Sequence, residues 1–312
     1  MDVKTNENVA VLLCCYNGEK FIEEQIDSIV RQTYKNISLW VSIDGIDDGS
    51  KAIIKKRTKG WENASVHFFK GPGKGFAANF FSLLSNPKIN ADYYAFSDQD
   101  DIWEDNKIER ALNYMKAAQK SGPSLYGSRT SFINEHGEDT GLSTLFNTKP
   151  NFKNALIQTV APGNTMVLNR KARDLIVNHI AKDNTIFSHD WLSYLFVSAV
   201  GGTVFYDSHA SLKYRQHGNN LMGENRSFFS RVRRVYLLVN GTFRKWTDEN
   251  ISALEKIQHL MTEENRKVFD CFKEARSKGI IKRIFWFWKL RIYRQSIVQN
   301  IALFLAFSLK RI

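Results

Sequence analysis

Three carboxylates fall within four residues in the run Ser97-Asp98-Gln99-Asp100-Asp101. Held that close, their charges repel, and the natural counter-charge is a hard divalent cation with oxygen ligands; Mg²⁺ or Mn²⁺ would also bridge to a substrate diphosphate. The other use for Asp98 or Asp101 is to cap a helix beginning near Trp103. A second acidic turn sets Asp44, Asp47 and Asp48 among Gly45, Gly49 and Ser50. A carboxylate there can accept the imide N–H of uracil or thymine, or the ribose hydroxyls. Asp and Gly are equally the residues of an ordinary turn and cap. Gly71-Pro72-Gly73-Lys74-Gly75 has glycines and a lysine but neither Walker spacing nor a closing Lys-Ser/Thr. It reads as a donor-contacting loop with Lys74 near phosphate, or as a plain turn. His189-Asp190-Trp191 and Tyr214-Arg215-Gln216-His217 complete the set. Taken singly, a His-Asp pair is the commoner mark of a helix start, and a lone histidine is more often a surface or core residue than a ligand.

These residues need elements to position them. Residues 9–13 read as a buried strand, followed by Ile22, Ile26, Ile29 and Val30 at helical spacing. Residues 39–43, 66–69 and 93–96 are further strands, with a helix over 76–84 between the last two. Strands alternating with helices predict a parallel sheet with right-handed crossovers. Ligands in such a sheet bind beyond the carboxyl ends of the strands, which is where Tyr16-Asn17, the Asp44 turn, the glycine loop and the Asp98 cluster all fall. Further on, the spacing predicts a helix over 107–118, a strand over 163–168 entering a helix near Arg170, a helix over 189–199, and short strands over 203–206 and 211–214.

At 312 residues the chain can bury a full core without staples. Its three cysteines, Cys14, Cys15 and Cys271, form no disulfide framework, which predicts a reducing, cytoplasmic setting. The first eight residues lack the basic and apolar regions of a signal peptide, and no apolar run, that of residues 301–307 included, is long enough to span a bilayer. The net charge of +12 is unevenly placed. Residues 226–312 carry 19 Lys and Arg against 7 Asp and Glu, whereas the first 225 residues balance at 25 of each. The chain therefore divides into a neutral body, 1–225, and a basic segment, 226–312, suited to an anionic partner.

In combination the motifs resemble glycosyltransferase family 2, over roughly residues 8–223. The residues that carry the likeness are Cys15-Tyr16-Asn17-Gly18, the run from Ser42 through Asp44 to Ser50, the run from Phe96 through Asp98 and Asp100 to Trp103, Gly163-Asn164-Thr165-Met166, His189-Asp190-Trp191, and Tyr214-Arg215-Gln216-His217-Gly218-Asn219-Asn220. The family implies an α/β GT-A fold and, among its members, the likeness is greatest to bacterial transferases that build cell-surface polysaccharide such as O-antigen or capsule, rhamnosyltransferases among them. It implies that Asp44 contacts the base, with Tyr16, Asn17, Lys74, Asn79 and Asp98 also at the nucleotide. Ile43 stands where the family usually has a carboxylate, just before Asp44. Asp98 and Asp100 match the Asp-X-Asp element, Asp100 being the metal ligand together with His217. Asp190 matches the catalytic base, and Arg215 and Trp191 would meet the diphosphate or the acceptor. The mechanism implied is inverting, on a nucleotide-sugar donor and a lipid-linked oligosaccharide acceptor at the inner face of the cell membrane.

The basic segment carries a second expectation. Arg231, Arg233, Arg234, Arg244 and Lys245 interleave with apolar residues over 227–246. Further on, Ile281, Ile284, Phe285, Trp288 and Ile292 share a helical face from which Trp286, Phe287 and Leu290 fall away. A basic helix with Trp and Phe suits an anionic membrane surface; packing on the body with solvated basic edges is the alternative. Three competing functions stay open: a UDP-hexose-dependent transferase, a nucleic-acid-binding protein whose basic segment meets phosphates although no reader motif is present, and an inactive scaffold. Nucleic acid is not the expected partner.

Overall fold

The computed structural model describes residues 7–62, 64–117, 121–180, 188–217 and 240–312. The Gly218-Asn219-Asn220 end of the last motif, the boundary at 225, and Arg231, Arg233 and Arg234 lie outside the described residues.

Every side chain of β1 (Val9–Cys15) is buried, the pattern of a strand covered on both faces. It pairs in parallel with β2 (Ile37–Ile43) on one side and β4 (Tyr93–Ser97) on the other, and β3 (Ser65–Lys70) extends the sheet beyond β2. The connections are α1 (Ile22–Val30), α2 (Ser50–Arg57) and α3 (Phe76–Leu84). Val9, Val11 and Leu13 face α1, while the alternate residues Ala10, Leu12 and Cys14 face the opposite core with Phe80 and Leu84 of α3. The chain runs outward through β2 and β3, then returns to the far side of β1 with β4. Strand order therefore reverses between β1 and β4, which opens a crevice at their carboxyl ends.

Beyond β4 the sheet is mixed rather than parallel throughout. Among the described residues nine strands form one sheet in the order β3-β2-β1-β4-β8-β6-β9-β5, with β7 (Asp139–Leu142) on β6. β8 (Val167–Asn169) runs antiparallel to both β4 and β6 (Ser124–Ile133), and β5 (Ile102–Trp103) runs antiparallel to β9 (Thr203–Arg215). The two short strands expected over 203–214 are one strand, bent by register shifts near Ser128 and Arg129 of its partner β6. No helix begins near Trp103: α4 (Lys107–Ala117) starts later, so neither Asp98 nor Asp101 is its cap. α5 (Phe152–Ala155), α6 (Arg170–His179) and α7 (His189–Ala199) cover the sheet face that α3 shares.

The C-terminal helices are α8 (Thr242–Lys256), α9 (Glu263–Ser277), α10 (Ile280–Leu290) and α11 (Ile297–Ser308). Leu254, Phe269, Phe272, Phe287, Leu290 and Phe307 enter the same core as Leu192, Tyr194 and Phe196 of α7. Asn265 donates to the carbonyls of Ser198 and Ala199 at 2.9 and 3.0 Å, satisfying the end of α7. Much of the basic segment is thus a structural part of the molecule. Among the described residues no helix is long and apolar enough to cross a membrane.

Candidate functional site

Gln99, to which the sequence assigned no role, joins the chain after β4 to the chain after β1. Its amide lies across the gap, Oε1 accepting from the Tyr16 N–H at 2.6 Å and Nε2 donating to the Tyr16 carbonyl at 2.9 Å. Gly18 is the trace of this bridge in the sequence, because a Cβ there would meet Gln99 Oε1 at 2.6 Å and Cys15 Sγ at 2.7 Å. Asn17 takes a left-handed φ of 51°, which turns the chain and leaves the Tyr16 ring exposed beside Gly45.

Asp44, at the end of β2, is buried, and its Oδ1 accepts from the Gly73 N–H at 2.6 Å. Gly71 sits so tightly that a Cβ would lie 2.6 Å from the same oxygen. The acidic turn and the glycine loop, separate in the sequence, are one assembly in which Asp44 holds the loop and Lys74 is exposed. Asp47 and Asp48 follow the plainer reading. Asp48 accepts from Ser50 and the Glu19 N–H, and Asp47 from the N–H groups of Gly49 and Lys51, so both organise the turn into α2.

The three carboxylates after β4 take different places. Asp101 is buried, accepting from Asn164 Nδ2 at 2.6 Å and lying 3.4 Å from the Arg215 N–H. Burial first, then the charges of Asp100 and Asp98, push its carboxyl well above the usual range. Asp98 and Asp100 are partly exposed. The imidazole Nε2 of His217 is 2.7 Å from Asp100 Oδ2, so two residues 117 positions apart, both named as metal ligands by the family resemblance, lie side by side. Asp98 is pushed up to about 7, by burial and then by Asp100 and Asp190. The field of Asp100 and of Asp190 is thus felt at Asp98.

Asp190 enters this field from the first turn of α7. Its Oδ1 accepts from Ser188 Oγ and from the Trp191 N–H, the latter at 2.7 Å. Neither bond uses Oδ2. Burial raises its carboxyl to about 6, the range of a working general base near neutrality. The preceding His189 is buried among Phe80, Phe96 and Phe76, and neither ring nitrogen has a hydrogen-bond partner. Its pKa falls to about 3 through burial, so the ring is a neutral packing element. It presses on Gly163 closely enough to leave no room for a Cβ there.

Three residues expected to meet ligand are instead turned inward. Arg215 is 1% exposed; its guanidinium donates to Glu24 at 2.9 Å and to the Asp100 carbonyl at 3.0 Å, and lies over the Phe21 ring. Trp191 is buried with its indole N–H donated to the Ala155 carbonyl at 2.7 Å. Asn79 is 2% exposed, its Oδ1 accepting from Ser42 Oγ at 2.5 Å. Their surroundings make them braces for Asp100, for α7 and for β2.

A divalent cation fits the remaining donors in part. Among the described residues no three His, Cys, Asp or Glu side chains converge as a ready-made cage. Asp100 and His217 supply an oxygen and a nitrogen side by side, and the charge of Asp100 reaches the neighbouring Asp98 carboxyl. Such a pair suits a cation whose other ligands are substrate phosphate and water.

The glycosyl transferase family 2 profile matches residues 10–176. A dTDP-rhamnosyl transferase, RfbG of Shigella flexneri, is 30% identical over 258 residues, covering 78% of this chain and 84% of that protein. An uncharacterised glycosyltransferase of Haemophilus influenzae is 27% identical over 68% of this chain and 66% of its own. Among solved structures, S. aureus TarS 1-349 in complex with UDP superposes with a TM-score of 0.53 at 16% identity, covering 84% of this chain and 86% of that one. The mannosyltransferase PcManGT of Pyrobaculum calidifontis, in complex with GDP-Man and Mn²⁺, gives 0.51 at 14% identity, over 98% of this chain and 87% of its own. These likenesses establish the GT-A-like fold with a helical C-terminal segment.

Proposed function

Since the chain belongs to glycosyltransferase family 2, we propose that this nucleotide-sugar transferase is an inverting enzyme that moves L-rhamnose from dTDP-rhamnose to a lipid-linked oligosaccharide, in the synthesis of cell-surface polysaccharide. The observation that carries the chemistry is Asp190: a carboxylate raised to about 6, with one oxygen fixed by α7, whose charge reaches Asp98 across the crevice. The rhamnosyl donor rests on the likeness to RfbG, which extends over 84% of that protein.

The acceptor hydroxyl loses its proton to Asp190 Oδ2 as its oxygen attacks the anomeric carbon. The bond from that carbon to the diphosphate breaks on the opposite face, and the leaving group takes the electron pair. Because the transition state resembles an oxocarbenium ion, most of the barrier lies in that departure. A cation held by Asp100 and His217 would supply Lewis-acid stabilisation of the leaving diphosphate. Lys74, on the loop that Asp44 anchors, would add positive charge. Tyr16, Asn17, Asp44 and Asp98 would line the nucleotide. Asn79, Arg215 and Trp191 act by holding these groups in place.

The test is release of nucleotide diphosphate by the purified full chain, with Mg²⁺ or Mn²⁺, across a panel of dTDP- and UDP-sugars. The reading expects dTDP-rhamnose to be hydrolysed in preference. Turnover confined to UDP-hexoses would overturn the rhamnosyl donor, and no release from any of them would overturn the donor class.

A further inference from the structure

Two surface helices present the wrong residues to water. On α10, Ile281, Phe285 and Trp288 are 85, 64 and 70% exposed; on α11, Ile297, Ile301 and Leu305 are 81, 57 and 50% exposed. The face that the sequence grouped at 281, 284, 285 and 288 is the outer one, whereas Ile292 lies past the helix end and is buried. Phe287 and Leu290, which fall off that face, pack inward, and Arg283 is buried with its guanidinium donating to the carbonyls of Arg276 and Ile312, both at 3.0 Å. The two helices join through Phe304, whose ring lies 5.3 Å from Phe287 and 6.2 Å from Trp288. The outer apolar residues thus belong to one surface, larger than scattered single exposures.

Charge decides what covers it. From residue 275 to 312 there are nine Lys and Arg and no Asp or Glu. Lys282, Lys289, Arg291, Lys310 and Arg311 are exposed around the apolar face. A second copy of the chain would set two such acid-free basic rims against each other, which disfavours self-association. An anionic bilayer answers both features, apolar interior for the ring-bearing face and headgroup charge for the rim.

We propose that α10 and α11 together form a membrane-docking face, which inserts its apolar residues between the headgroups of an anionic leaflet and ties the enzyme to the surface that holds its acceptor. The fold connects this face to the site. The turn between the two helices grips the segment around α5: Tyr293 donates to the Lys149 carbonyl at 3.0 Å, Gln295 Nε2 to the Thr148 carbonyl at 3.1 Å, and Asn154 Nδ2 to the Tyr293 carbonyl at 3.0 Å. That segment in turn receives the Trp191 indole N–H, next to Asp190.

The docking proposal is independent of the donor reading, because its test needs no turnover. Cosedimentation of the full chain with phosphatidylglycerol-containing vesicles and with phosphatidylcholine vesicles, at low and high salt, reads it directly. The expected result is strong pelleting with the anionic vesicles, weaker at high salt and weaker still with the neutral ones. Phe285→Ser with Trp288→Ser should lower partitioning by about 10-fold or more, since aromatic insertion supplies the apolar part of the attachment. Lys282→Glu with Lys289→Glu should remove the preference for anionic lipid while leaving the melting temperature unchanged. Light scattering on the same proteins without vesicles expects a monomeric chain throughout. A wild-type chain that stays in solution with both vesicle types, or a dimer that the Phe285/Trp288 pair dissociates, overturns the proposal.

Discussion

Replacing Asp190 by Asn tests the base at the least structural cost. The side-chain carbonyl of Asn can accept the same two hydrogen bonds, from Ser188 Oγ and the Trp191 N–H, that Oδ1 accepts now. What disappears is basicity. Loss of a general base should lower kcat by at least ~10²-fold, about 2.7 kcal/mol in the barrier, with donor affinity little changed. The wild-type pH profile gives an independent measure. With the carboxyl at about 6, activity should rise with pH through that value, and at pH 5 roughly one molecule in ten would carry the basic form. The Asn variant should lose this acid limb. The stability sign runs the other way: an acid whose folded value lies above its unfolded one disfavours the folded state as pH rises between the two, so the variant should be at least as stable as wild type at pH 8. Rapid-quench or coupled assays for transfer, with calorimetry for donor binding and thermal melts at two pH values, separate these effects. Turnover of Asp190→Asn near the wild-type rate, with the acid limb intact, would show that another group takes the proton.

Asp100→Ala should abolish donor hydrolysis, and excess EDTA should do the same to the wild-type chain; full activity in EDTA would refute a metal at this pair. Gly163→Ala should destabilise the fold by about 1–3 kcal/mol, read in urea, because a methyl there presses on the packed His189 ring. Asp207→Ala should cost about 3 kcal/mol, since Asp207 is buried and accepts from Arg110, Tyr126 and the His209 N–H; a loss under about 1 kcal/mol would mean that these donors find water.

What was legible in the sequence follows from how locally each feature is encoded. The first four strands and the helices over 76–84 and 189–199 stand where apolar runs and helical spacing put them: β1, β2 and β4 bury nearly every residue, β3 half-buries Val66 to Phe69, and the helices bury the apolar positions of their own pattern. β6 escaped notice: Ser124, Gly127, Ser128, Arg129, Thr130 and Ser131 interrupt its apolar character, and its burial comes from the partners on either side rather than from its own pattern. The same limit explains the inward polar strand residues, since Ser128 Oγ bonds Ser211 Oγ at 2.5 Å across β6 and β9, a pairing no local window contains.

At the site, the sequence located motifs but not the direction in which each side chain points. Residues adjacent in a motif divide between the crevice and the core: Asp100 faces His217 while Asp101 is buried on Asn164, and Asp190 meets the charged cluster while His189 and Trp191 are packed away. The division has a physical cause. Carboxylates crowded in a cleft repel and would relax apart unless the backbone that carries them is held. Arg215 serves that end at Asp100, reaching its backbone carbonyl while paired to Glu24, and Trp191 serves it at Asp190 through both its backbone N–H and its anchored indole. The motif residues packed into the core are held by partners of their own, and replacing them should shift the position of Asp100 and Asp190 before it alters their chemistry.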